Sequence, residues 1–173
     1  MVDAARPAGL YQHAQAKDNC GFGMIAHAKG EASHRLLQTA IASLGCMTHR
    51  GGIAADGQTG DGCGLLLQKP DSFLRGWVLE HLEHTLAAHY GVGALFLNAD
   101  PAQAAHARAV FEQAVSRHGL QLVGWRRVPI DVSVCGRIAR ESLPTIEQVF
   151  VEGADCDAAL NRALFVVRRQ VEK

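Results

Sequence analysis

Missing from this sequence are a long apolar run, an excess of charge of either sign and any closely spaced pair of cysteines. No stretch approaches the ~18 uninterrupted apolar residues of a membrane-spanning helix. The first 19 residues, MVDAARPAGLYQHAQAKDN, contain no apolar core of the kind a secretory signal needs, so the expected compartment is the cytoplasm. Lysine plus arginine and aspartate plus glutamate number 17 each. That balance argues against a nucleic-acid or anionic-membrane surface as the main role. The basic pair Arg168–Arg169 reads as a solvated helix face. The cysteines, Cys20, Cys46, Cys63, Cys135 and Cys156, are odd in number and widely spaced, which supports neither a disulfide framework nor a zinc ribbon. The ordinary expectation for each is a small buried apolar residue. His81, His84 and His89 fall near helical spacing but lack a cysteine or carboxylate constellation, so a half-exposed helix face is expected rather than a metal site.

What is present is an ordinary globular mix, 48% apolar and 20% charged, long enough for one domain with a hydrophobic core. Residues 1–19 show little periodicity and read as a leader. Gly21–Ala28 is short and apolar and suits a buried strand. Ser33 can cap a helix whose apolar positions Leu37, Ile41, Leu44 and Met47 recur every three or four residues. From His49 to Gly64, glycines 51, 52, 57, 60, 62 and 64 demand turns and close backbone approaches instead of helix. Leu65–Gln68 suggests another short buried strand, and Pro70–Asp71 opens a helix running to about His89.

Val92–Leu97 reads as a strand. Asp100–Pro101 is a helix start, with Ala107, Val110, Phe111, Ala114 and Val115 facing inward and Gly119 as the stop. Leu120–Val128 is expected as a strand ending at Pro129, and Ile146–Val151 as another. Asp157 should cap a last helix through about Val171. The sequence shows no internal repeat and no low-complexity linker.

The chemistry-bearing segments are three. Cys20 lies in DNCGFGMIAH, a thiol at the start of a buried element, followed by glycines that let a ligand approach the backbone. THRGG at Thr48–Gly52 and TGDGCG at Thr59–Gly64 follow. Together these closely resemble the opening of the large subunit of bacterial glutamate synthases. More broadly they resemble the class II glutamine amidotransferases, which belong to the N-terminal nucleophile hydrolases. The resemblance continues through GALFLN at Gly93–Asn98, VGWRRVP at Val123–Pro129 and SLPTIEQVFV at Ser142–Val151, covering nearly all of the chain from Asp18.

The resemblance implies that Cys20 is the nucleophile that takes ammonia from L-glutamine. A thiol of pKa ~8.5 is only a few per cent thiolate at neutral pH and needs a base. In the family that base is the cysteine's own α-amino group, which implies removal of residues 1–19 by cleavage between Asn19 and Cys20 and leaves 20–173 as the N-terminal portion of a class II amidotransferase domain. Arg50 and Gly51, in His-Arg-Gly, match the family positions beside the nucleophile and are expected to be supporting or substrate-proximal, although a helix C-terminus attracts a surface arginine anyway. Asp61 is expected to shape its glycine turn and His49 to pack.

The implied architecture is α+β, a four-layer α/β/β/α sandwich, expected to be incomplete in this chain. The order of elements is compatible with it but does not select it. The family's oxyanion donors lie in a segment like H-N-G-E and its glutamine carboxylate clamp in one like R-F-S-T-N. Here Asn19, Asn98 and Asn161 precede Cys, Ala and Arg, and neither segment occurs. The expectation is therefore a portion of a larger protein with little glutaminase activity alone. The resemblance places no cofactor in this chain. It implies FMN, an iron–sulfur cluster and NADPH, the last through a partner small subunit, for the full enzyme, with no nucleic-acid or membrane partner. A non-enzymatic module keeping the fold as a binding or structural element is the alternative.

Overall fold

A computed structural model describes residues 21–47, 51–60 and 62–172. They belong to two compact units, one from residues up to Gly52 together with Asp61–Leu65, the other from Ile53–Gly60 together with Leu66 onward. The expected leader, Cys20, His49, Arg50 and Asp61 lie outside the described residues.

In the first unit the described element is α1, His34–Cys46. Ser33 starts it: its backbone is extended and its hydroxyl accepts from the Leu36 N–H at 3.2 Å, satisfying one of the otherwise orphaned first-turn donors. Leu37, Leu44 and Met47 are half-buried along one stripe, whereas Ile41, expected on that stripe, is 55% exposed.

The second unit is built on a three-stranded antiparallel sheet of order β1-β3-β2, with β1 Tyr90–Leu97, β2 Gln121–Arg127 and β3 Thr145–Glu152. The middle strand, β3, is the most buried, as expected for a strand paired on both edges and covered on both faces. Along β3, alternate side chains serve opposite faces. Val149 and Val151 join Phe111 and Val115 of α3 (Pro101–Arg117) and Leu160 and Val167 of α5 (Asp157–Val171). Phe150, fully buried, faces Leu74 and Val78 of α2 (Asp71–Leu82), with Leu86 and Tyr90. Each such aliphatic side chain contributes about 1.5–3 kcal/mol by leaving water.

Two aromatic contacts knit the layers: Trp125 of β2 meets Phe111 edge-on at 5.7 Å, and Trp77 of α2 stacks on Phe150 at 5.8 Å. At Gly91 of β1 a Cβ would meet the terminal methyl of Leu164 of α5, which packs over the bare strand backbone there. The architecture is thus mixed α+β, a small antiparallel sheet between helices.

Several expectations hold. Asp100 caps α3, accepting from the Ala102 N–H at 2.9 Å, with Pro101 in the first turn, and Gly119 at φ +70° follows its end. The three C-terminal strands fall within a residue or two of their expected places.

Others are corrected. Gly21–Ala28 and Leu65–Gln68 form no strand, and Phe22, Met24 and Leu66 are 92%, 88% and 100% exposed. A strand needs a ladder partner, and no described segment pairs with either stretch. The helix from Asp71 stops at Leu82 instead of His89, with Glu83 in the left-handed region at φ 52°. The tail is taken over by tertiary bonds: Arg75 donates to the carbonyls of Leu86 and Ala87, and Glu152 accepts from the Ala87 N–H. Val110 lies 39% exposed, outside the inner stripe of α3. Cys156, not Asp157, occupies the cap position of α5, with no side-chain cap bond; Asp157 is its first helical residue and meets His89 at 2.8 Å. Of the described cysteines, Cys46, Cys63 and Cys156 are exposed and only Cys135 is partly buried, against the expectation of buried thiols. A one-turn 3-10 segment, Val132–Val134, and the short helix α4, Arg137–Glu141, were not expected at all.

Candidate functional site

The segment between the two glycine motifs folds as a tight hairpin. Ile53 and Gly60 pair as an antiparallel bridge, the Ala54 N–H donates to the Thr59 carbonyl at 2.7 Å, and the Gly57 N–H donates to the Ala54 carbonyl at 3.0 Å. The Asp56–Gly57 dipeptide explains the turn: Gly57 adopts φ +70°, and the Asp56 carboxylate folds back onto the backbone of the residues after it.

Asp56 does more than close its own turn. Its Oδ1 accepts from the N–H groups of Gln58 at 3.1 Å and Thr59 at 2.8 Å. Its Oδ2 accepts from the Thr59 hydroxyl at 2.6 Å and from the Ile138 N–H of α4 at 3.0 Å. The Thr59 hydroxyl oxygen in turn accepts from the Ala139 N–H at 3.2 Å. Two otherwise orphaned amides of α4, a helix without a side-chain cap of its own, are therefore satisfied from a loop some eighty residues earlier. The Thr59 hydroxyl, followed by the amides of Ile138 and Thr59, holds the Asp56 carboxyl well below the usual carboxylate range. Gly136 makes the approach possible: a Cβ there would fall 2.5 Å from the Thr59 nitrogen and 2.7 Å from Asp56 Oδ2.

Of the sequence-derived site residues, Gly51 is exposed in a bend at the end of the first unit, and Cys20 and Arg50 lie outside the described residues. The clamp residues Asp56, Thr59 and Gly136 were not singled out from the sequence. The Asp-Gly turn signal marks Asp56, but nothing in the sequence pairs it with Gly136.

Other clusters offer less. His81 stacks on Trp77 at 4.6 Å, His84 lies 2.8 Å from the buried carboxylate of Glu152, and His89 pairs with Asp157. Among the described residues no three His, Cys, Asp or Glu side chains converge as metal ligands. An open cleft of about 500 Å³ between the end of β1 and the start of α3 is lined by Phe96, Asn98, Gln103 and His106, with no nucleophile beside a base. No helix among the described residues is long and apolar enough to cross a membrane.

The comparisons with known proteins agree with one another. Residues 20–173 match the family of class II glutamine amidotransferases. The chain is 40% identical over 157 residues to ferredoxin-dependent glutamate synthase 1, chloroplastic/mitochondrial, of Arabidopsis thaliana, covering 89% of this chain and 10% of that protein. It is 38% identical over 161 residues to ferredoxin-dependent glutamate synthase 2 of Synechocystis, covering 91% and 10%. It is 35% identical over 168 residues to the glutamate synthase [NADPH] large chain of Bacillus subtilis, covering 95% and 11%. The chain therefore spans about a tenth of the length of these curated relatives. With the family match running from Cys20 to the last residue, the chain belongs to the class II glutamine amidotransferases.

Proposed function

We propose that this chain is the nucleophile-bearing part of the glutaminase domain of a glutamate synthase, releasing ammonia from L-glutamine for glutamate synthesis from 2-oxoglutarate. The observation that carries the reading is that the family match begins at Cys20, the residue that cleavage after Asn19 would make the first.

The chemistry follows from that position. In the uncleaved chain the Cys20 nitrogen is an amide and cannot take a proton. Once freed, an α-amino group of pKa ~7.7–8 accepts the thiol proton near neutrality. The thiolate adds to the glutamine side-chain carbonyl, and the α-ammonium returns the proton to the departing nitrogen. The C–N bond breaks, and ammonia leaves behind a γ-glutamyl thioester. Water then cleaves the C–S bond and frees glutamate. Arg50, with Gly51, is assigned a supporting place beside the thiol, where a guanidinium favours the thiolate.

The proposed domain division is a leader at 1–19 and the amidotransferase portion from 20, in a four-layer α/β/β/α sandwich. One antiparallel sheet flanked by helices supports that architecture. The proposed partners are the remainder of the large subunit and a small subunit supplying NADPH electrons. The name of the Bacillus subtilis relative includes NADPH, and those of the plant relatives include ferredoxin. FMN and an iron–sulfur cluster are proposed for the wider protein only. The described cysteines are scattered and no metal-ligating group forms among the described residues, so no residue here is assigned to either. The cytoplasm is the proposed working compartment.

Intact-mass analysis and glutamine turnover of the full-length protein test the reading together. The expected result is a mature chain starting at Cys20 that hydrolyses glutamine, with activity abolished by Cys20→Ala. An active protein that keeps residues 1–19, or one indifferent to Cys20→Ala, overturns it.

A further inference from the structure

We infer that Asp56 and Thr59 are positioning residues for the amidotransferase reaction, locking the hairpin Ile53–Gly60 onto α4 across Gly136 and so fixing the two points from which THRGG and TGDGCG leave. The inference rests on the proposed role of Cys20 and goes beyond it, because none of these three residues belongs to the nucleophile itself.

The argument begins with what glycine-rich chain does when left alone. Between Gly51 and Gly64 glycines stand at 51, 52, 57, 60, 62 and 64, and glycine loses more conformational freedom on ordering than any other residue. Such a segment keeps one conformation only if something outside it supplies the order. Within the hairpin two backbone bonds and the Ile53–Gly60 bridge bring the ends side by side. Those bonds close the hairpin but attach it to nothing. The attachment is made by two side chains, through the Ile138 amide on Asp56 Oδ2 and the Ala139 amide on the Thr59 hydroxyl.

Thr59 is the joint of the arrangement. Its hydroxyl donates to Asp56 and accepts from Ala139, so one oxygen couples the turn to the helix. Thr59 is also the first residue of TGDGCG, and Ile53 directly follows THRGG. Both motifs are thus tethered, through the chain, to one anchored hairpin. Gly136 supplies the clearance, since a side chain there would occupy the space of the Thr59–Asp56 contact. Catalytic groups must be held within ~0.5 Å of productive geometry, and a misplacement of ~1 Å can cost about 100-fold in rate.

The test uses the full-length protein with Thr59→Val, which removes both hydroxyl bonds, and Thr59→Ser, which keeps them. Two quantities are read well below the unfolding transition: kcat/KM for glutamine, and the pH profile of Cys20 alkylation by iodoacetamide, followed on the Cys20 peptide by mass spectrometry. The expected result is that Thr59→Val lowers kcat/KM about 10- to 100-fold. Its alkylation midpoint also moves to higher pH, as the supporting role proposed for Arg50 requires, and Thr59→Ser restores both. A clamp that only stabilises the fold would lower the melting temperature of Thr59→Val yet leave the Cys20 profile in place, and that outcome overturns the inference. So does a Thr59→Ser protein as impaired as Thr59→Val. Wild-type protein that hydrolyses no glutamine overturns the functional reading itself, and the inference with it.

Discussion

Arg108 of α3 and Glu147 of β3 meet as a bidentate pair, with Nε donating to Oε2 at 2.7 Å and an Nη to Oε1 at 2.6 Å. The carboxylate is almost buried and the guanidinium partly exposed, so this one fork bolts a helix to the central strand where hydrophobic contact alone would leave their relative slide undetermined. Replacing Arg108 by Ala leaves Glu147 buried without its donors. The expected cost is about 1–3 kcal/mol in urea unfolding, and the Arg108→Met, Glu147→Leu double variant should recover most of it.

Tyr90 buries its ring against Leu74 and Val78 and donates its hydroxyl to Asp71 Oδ1 at 2.8 Å, with the Lys69 ammonium 3.8 Å from the ring centre. Burial first, then the bond to Asp71, pushes the phenol up to about 12. Because the folded value lies above the unfolded one, the contribution is fully present below the ordinary phenol pKa of ~10 and is lost as the pH rises through about 12. Alkaline titration of phenolate absorbance should show a late step that Tyr90→Phe abolishes.

For Asp56 the sign is opposite. Its folded pKa lies well below the ordinary carboxylate value, so the clamp's contribution is fully present above that ordinary value, declines beneath it and is gone only once the pH has fallen through the lowered folded value. Hydrogen exchange in acid should therefore show the Thr59 and Ile138 amides losing protection together. In Asp56→Asn that protection should be weak even at neutral pH, since one oxygen has been replaced by an amide nitrogen that cannot accept.

The cap of α5 offers a gain instead of a loss. Cys156 has the extended backbone of a cap residue but makes no side-chain bond to the first turn. Cys156→Ser supplies an acceptor there, and a stabilisation of about 0.5–2 kcal/mol is expected by thermal or urea denaturation. An unchanged midpoint would show that water already serves those amides.

Local chemistry accounts for what the sequence alone determined. Ser33 and Asp100–Pro101 announce helix starts because capping involves neighbours in the chain. β1, β2 and β3 are legible because buried strands carry short β-branched and aromatic runs between turn residues. The motifs around Cys20, Arg50 and Gly51 point to thiol chemistry for the same reason, since residue type and order carry it.

Only the tertiary structure decided the rest. The helix from Asp71 reads as continuing past Leu82, yet it breaks there because Arg75 and Glu152 claim the backbone groups beyond it. Gly21–Ala28 and Leu65–Gln68 have strand composition but no ladder partner among the described residues, and composition cannot supply one. The clamp was invisible for a related reason. Asp56 and Thr59 advertise a turn, α4 is a single short turn of helix, and Gly136 resembles any loop glycine. What unites them is a fold that brings positions about eighty residues apart to hydrogen-bond distance, a relation no local pattern encodes.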